Sequence, residues 1–341
     1  ITGTIGVRTL SFGSYFPTVT SGAITLAAGV ASQLAVTRAA AGAASGAAFT
    51  TQPQVAVQDG QGNTVTTDNS TVVTMTVSAG ATTVPATATA TAQDGVATFT
   101  DVGISGLVGT YNLTFTSEPA LTVATQTGLA LLAGAASLAT STVAANQATL
   151  TADGASTTTI TVELRDANGN ALTSSGGTVT LGLTGTGGLA AVSNQGTGRY
   201  TAVLTAPTAP GSGVISASLG GRALTHASNP VTVTYVVGSA STIAAHSATT
   251  QSATAGTAVT TAPSVLVTDA HSNPVVGVSV LFAVASGGRG VTGGTVSTNE
   301  SGIATVGSWT LGATAGANTL TATSGSLSGS PVTFTATGTA G

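Results

Sequence analysis

Few residues of this chain could carry acid–base or ligand chemistry: ten carboxylates, six arginines, three histidines and four tyrosines, with no cysteine and no lysine. The most suggestive spacing is Asp166-Ala-Asn168-Gly-Asn170, which sets oxygen-bearing side chains at alternating positions as a calcium loop does. Asp59 with Asn63 and Asp269 with Asn273 repeat the theme. Calcium takes six to eight oxygens with several carboxylates among them, and each of these segments offers one carboxylate. Turn formation by itself calls for Asp, Asn and Gly, so no metal or other cofactor is expected, with a structural ion shared between domains left open.

Hydrolytic chemistry needs a nucleophile beside a base that a third group orients. His226, His246 and His271 stand in polar surroundings near expected loops or strand ends, and there is no Gly-x-Ser-x-Gly elbow. An enzyme would require a pocket drawing on Asp166, His226 or His271, which no spacing predicts. The stretch Gly185–Ala190, GTGGLA, matches a dinucleotide fingerprint on paper, but that site needs a helix after it; a hairpin loop is expected instead. Trp309 and Tyr200 read as core residues of a domain otherwise short of large side chains. Sequons at Asn69, Asn112 and Asn299 are close to chance in so Thr- and Ser-rich a chain.

The elements that position these residues are strands. Charged residues are only 5% of the 341, whereas solvated helices carry Lys, Glu and Arg on their outer face. Thr and Val suit a pleated, half-buried surface. A net charge of −4 with six scattered arginines disfavours nucleic acid, which needs a basic patch. Hydrophobic residues make up 42%, yet the most apolar run, Gly128–Ala139, is short of the about 20 residues that cross a bilayer. No membrane insertion is expected. Without cysteine or lysine, cohesion is non-covalent. The sequence opens at Ile1 with no Met and no leader pattern, which reads as a processed chain or a fragment.

The chain repeats itself. Gly-x-Ala-Ser occurs at Gly29, Gly134 and Gly238, spacings of 105 and 104, and Gly341 follows 103 later. The turn-like segments at Asp59, Asp166 and Asp269 keep nearly the same step. Apolar residues alternate with period two in Val72–Ser78, Ile160–Leu164, Asn112–Thr116, Val231–Val236 and Val332–Thr337, which predicts antiparallel strands with one face on a core. Gly62-Asn63 and Asn168-Gly169 are hairpin signals. Several short strands per hundred residues indicate an all-β chain of tandem immunoglobulin-like β-sandwiches, over 30–134, 135–238 and 239–341, preceded by a hairpin segment at 1–29.

The third repeat, with VTDAHSNPVVGVSVLFAV from Val267 and NESGIATVGSWTLGATAGANTLTAT from Asn299, resembles bacterial Ig-like (Big-1) domains of the invasin and intimin type. The second, with ADGASTTTITVELRDANGNALTSSGGTVTL from Ala152, resembles them too, while the first joins by register. The resemblance implies an extracellular array on the cell surface, usually a spacer, with no catalytic residues to carry over.

Gly3–Gly29 has the plan of the ends of the three repeats: a strand, a polar region, a second strand and the junction glycine. It reads as the last hairpin of an incomplete domain, and an isolated hairpin is marginal in water. Two functions follow. The chain is a filament subunit that assembles head-to-tail with copies of itself by donating this hairpin, with Ile5, Val7, Leu10, Phe12, Ile24 and Leu26 as the donated face. Alternatively it is a stalk segment of a longer surface adhesin. A host or matrix surface is the other expected partner.

Overall fold

The computed structural model describes residues 2–13, 17–287 and 289–341, and every regular element among them is a β-strand. The period-two pattern does what its chemistry requires. In Val332–Thr339 burial alternates at every step: Val332, Phe334 and Ala336 point into a core, and Thr333, Thr335 and Thr337 point to solvent.

Three hydrophobic clusters form along the chain. The first gathers residues from Leu34 to Leu131, including Phe99 and Phe115 with ring centroids 5.7 Å apart. The second runs from Val143 to Tyr235 and the third from Ile243 to Ala336 around fully buried Trp309. Tyr200 is buried in the second, its hydroxyl donating to the carbonyls of Ser175 and Gly177.

Each cluster lies between two sheets, which in the first sandwich are continuous through Ala88–Gln93, paired with both Val96–Thr98 and Val72–Val77. One is built on Gln33–Arg38, Gln54–Gln58 and Val96–Thr98, and on the corresponding Thr142–Ala145, Thr157–Glu163, Arg199–Thr205 and Thr242–Ala245, Ser264–Thr268, Ile303–Thr305. The other holds the final strand pair, Gly109–Glu118 with Ala124–Leu132, Gly211–Leu219 with Val231–Val236, and Gly316–Thr323 with Val332–Thr339. These are immunoglobulin-like sandwiches.

Two local expectations are corrected. The sandwiches are not purely antiparallel: Ala43–Ala44, Thr149–Thr151 and Thr250–Thr254 pair in parallel with the last strand of their own sandwich. In each case the leading segment of the sandwich crosses from the first sheet to the second and seals the open edge of the last strand. Second, Gly185–Ala190 is not a hairpin loop. Val179–Gly185 belongs to one sheet, whereas Gly188–Leu189 pairs with Leu204–Thr205 of the other. The chain switches sheets through Gly185 and Gly187 at φ of 97° and 112°, and a Cβ on Gly187 would stand 2.4 Å from the Tyr235 hydroxyl.

Ahead of Gly29 the described strands pair as a hairpin. Gly6–Arg8 pairs with Ile24–Leu26 and Ser11–Phe12 with Val19–Thr20; Ser14, Tyr15 and Phe16 lie outside the described residues. Gly6 lies opposite Leu26 and Arg8 opposite Ile24, as Gly109 lies opposite Leu131 in the first sandwich. The hairpin thus copies the last two strands of a sandwich.

Because the three cores are separate, damage to one should stay local. Phe115→Ala should cost the first sandwich about 3–5 kcal/mol. The unfolding transition reported by Trp309, the single tryptophan, should keep its midpoint while a calorimetric transition moves down. A Trp309 transition displaced equally would mean that the sandwiches unfold as one unit.

Candidate functional site: the junction clamps

The segments singled out for their Asp and Asn residues are the places where one unit meets the next. In each, a strand ends, a tight turn follows, and the Asp main-chain amide donates to the carbonyl of the Asn four residues on, for Asp59 and Asn63, Asp166 and Asn170, and Asp269 and Asn273. The turn requires a left-handed residue, supplied by Gly62 (φ 81°), Gly169 (φ 83°) and, in the third copy, Ser272 (φ 67°). The sequence signal for a hairpin was half right. The turn is there, but its second arm is a single bridge, Gln58 to Thr64, Arg165 to Ala171 and Thr268 to Pro274.

All three Asp side chains are buried, at 1–3% exposure. A buried carboxylate must be met by donors, and here the donors come from two directions. Oδ1 accepts the main-chain amides of the second and fourth residues of its own turn: Gln61 and Asn63 (2.9 Å each), Asn168 and Asn170 (2.9 Å each), His271 (2.8 Å) and Asn273 (2.9 Å). Oδ2 accepts the amide of the junction glycine: Gly29 at 2.8 Å, Gly134 at 2.9 Å and Gly238 at 3.0 Å. It also accepts the side-chain amide of the turn Asn at 2.9, 2.8 and 2.9 Å.

The Asn then reaches the preceding unit. Its second N–H donates to the carbonyl of Gly3 (3.0 Å), Gly106 (2.9 Å) or Thr208 (2.8 Å). Its Oδ1 accepts the amide two residues further on, Ile5 at 3.1 Å and Val108 at 2.9 Å. The Asp fixes the amide's orientation, since a carboxylate can only accept and so draws the NH2 end towards itself. At the third junction the residue in that place is Pro210, which has no N–H to give.

The second junction carries more. Asn168 donates to the hydroxyls of Ser45 and Ser105 on the first sandwich, both at 2.8 Å. A Cβ on Gly134 would stand 2.0 Å from the Ser45 carbonyl oxygen, so only glycine allows this approach.

In the segment read as a possible calcium loop, the carboxylate is ringed by N–H donors. The roughly four lone-pair sites of Asp166 accept from Asn168, Asn170, Gly134 and the Asn170 side chain, while the Asn168 NH2 and the second N–H of Asn170 are spent on the neighbouring sandwich. The other titratable candidates are not brought to this carboxylate: His226 sits in a turn against Ser228, and His271 contributes a main-chain amide to Asp269. Of the proposed donated face, Leu10, Ile24 and Leu26 are half-buried and Phe12 is 62% exposed. Val7 pairs with Thr25 and so points to the side opposite Ile24 and Leu26, and Ile5 is engaged through its amide. The reach of each Asn across 58 to 65 residues left one trace in the sequence, the threefold recurrence of Asp and Asn four apart.

The Asn63 side chain, with the Gly29 amide behind it, holds the Asp59 carboxyl at about 2 against an ordinary 3.8, outweighing burial. Burial is the largest single influence on Asp269 and pushes it up, but the bonds from Asn273, Gly238 and His271 together bring it to about 2. Asp166 is lowered by the same balance. For the clamps at Asp59 and Asp269, folded values below the unfolded one mean that they contribute fully above about pH 4 and are lost as pH falls through about 2. The amide resonances of Gly29 and Gly238 should hold their positions down to about pH 3 and shift together below it. A midpoint near 4 would show carboxylates without these donors.

Compared with known families, residues 137–238 match "Invasin, domain 3". Among solved structures the chain is similar to FdeC, a broadly conserved Escherichia coli adhesin, at 20% identity over 92% of this chain and 100% of that one, with a TM-score of 0.44. It is similar to invasin, a bacterial integrin-binding protein, at 18% identity and a TM-score of 0.46 over 89% of this chain and 60% of that one. For Yersinia pseudotuberculosis InvD the values are 18%, 0.43, 89% and 96%. No curated protein matches. The chain carries a bacterial Ig-like domain of the invasin type, set among sandwiches that repeat its strand plan and its junction.

Proposed function

We propose that this chain is a spacer in a bacterial cell-surface adhesin, a row of Ig-like sandwiches whose junctions are held at set geometry by the Asp–Asn clamps. One observation carries the reading: the same buried Asp and Asn tie each unit to the one before it at all three junctions. Thr- and Ser-rich outer faces with little charge suit a structural element, and Asp166, His226 and His271 serve separate turns rather than one catalytic pocket. The invasin-type match supports the surface location. The absence of native cysteine allows clean labelling. Spin labels at Thr91→Cys and Thr180→Cys, exposed positions on the first and second sandwiches, should give a narrow distance distribution that Asn170→Ala broadens. Equal widths with and without Asn170 would remove the clamp from the account.

A second reading, head-to-tail self-assembly through the hairpin, is favoured by its exposed apolar side chains. Val7 and Val19 are 66% exposed and Phe12 62%, and among the described residues both outer edges of Gly6–Arg8 and Ile24–Leu26 are unpaired. If the hairpin is donated to another copy, light scattering of the parent protein should show concentration-dependent oligomers, and Ile24→Asp should return it to monomer with the three cores folded. Oligomers that survive Ile24→Asp would rule out donation.

A further inference from the structure

We infer that the far end of the third sandwich is a docking surface for one more Ig-like domain, one that carries its own Asp-x-x-x-Asn turn. The inference rests on reading the clamps as the locks of the array. What each Asn grips in the preceding unit is a main-chain pair set by position: the carbonyl three residues before the glycine that opens the penultimate strand, and the amide one residue before it. For the strands opening at Gly6, Gly109 and Gly211 the pairs are Gly3 and Ile5, Gly106 and Val108, and Thr208 and Pro210. The third sandwich opens the same strand at Gly316, so its pair is the carbonyl of Ala313 and the amide of Ala315.

Ala313–Ala315 forms a bend directly before its strand, as Thr208–Pro210 does, and both alanines are exposed. Neither the Ala313 carbonyl nor the Ala315 amide has a hydrogen-bond partner among the described residues. Gly341 stands where Gly29, Gly134 and Gly238 stand in the other repeats. Ala315 has the N–H that Pro210 lacks, so a domain docked here makes both Asn contacts, as at the second junction. Two or three such bonds do not hold a free domain against the cost of association. They suffice for one tethered by a short linker, whose effective concentration is high. The fitting partner is therefore an Ig-like domain joined through the junction glycine.

The test is a chain with a second copy of residues 30–134 appended directly after Gly341, followed by amide hydrogen exchange. The Ala315 amide should exchange about tenfold or more slowly than in the unextended chain, and Asn63→Ala in the appended copy should restore the fast rate. Fast exchange of Ala315 beside a folded appended domain would overturn the proposal. In that result, continued protection of the Val108 amide would leave the clamp reading standing, and fast exchange of Val108 as well would sink both.

Discussion

A carboxylate taken out of water must be surrounded by donors, and that requirement at Asp59, Asp166 and Asp269 organises everything between one sandwich and the next. Two donors come from the turn itself, which fixes the turn. One comes from the glycine that links the units, which fixes the direction in which the chain enters. The last comes from an Asn whose other N–H donates to a carbonyl of the preceding unit. Leaving any of these unmade strands a buried polar group, which costs about 1–3 kcal/mol. The link between units is therefore polar and geometric, in contrast to the apolar cores on either side.

The three junctions are variations on that theme. The second is the most elaborate, with Asn168 reaching two serines and Gly134 pressed against the Ser45 carbonyl. The third is the sparest, because Pro210 withdraws a donor and Ser272 holds a left-handed conformation that the other copies give to glycine. The first clamps a bare hairpin by the same rule, since the Asn recognises only the main chain at Gly3 and Ile5. A grip on main-chain atoms tolerates any side chain at the gripped positions, which suits a chain built from diverging repeats.

The strands were legible because a half-buried strand must alternate. Val332 to Thr339 needs no neighbour to announce which side faces inward. The repeat and the turns were legible for a related reason, since Asp, Asn and Gly are demanded locally by the turn. The same local sufficiency made Asp166, Asn168 and Asn170 ambiguous: once the turn accounts for them, nothing nearby says that their side chains have further work. The sheet switch at Gly185–Ala190 and the parallel leading strands were hidden because pairing partners lie on the far side of a sandwich.

From the sequence alone came the all-β class, the period of about a hundred residues, the inward and outward faces of the strands and the hairpin plan of the first segment, all properties of local periodicity and turn chemistry. Only the tertiary structure decided that the Asp–Asn turns lie at the junctions, that Asn63, Asn170 and Asn273 grip backbone some sixty residues earlier, and that Val7 faces away from Ile24 and Leu26. Those outcomes depend on which main-chain groups the folded sheets bring within hydrogen-bonding distance, and a main-chain carbonyl or amide leaves no mark in the one-letter code.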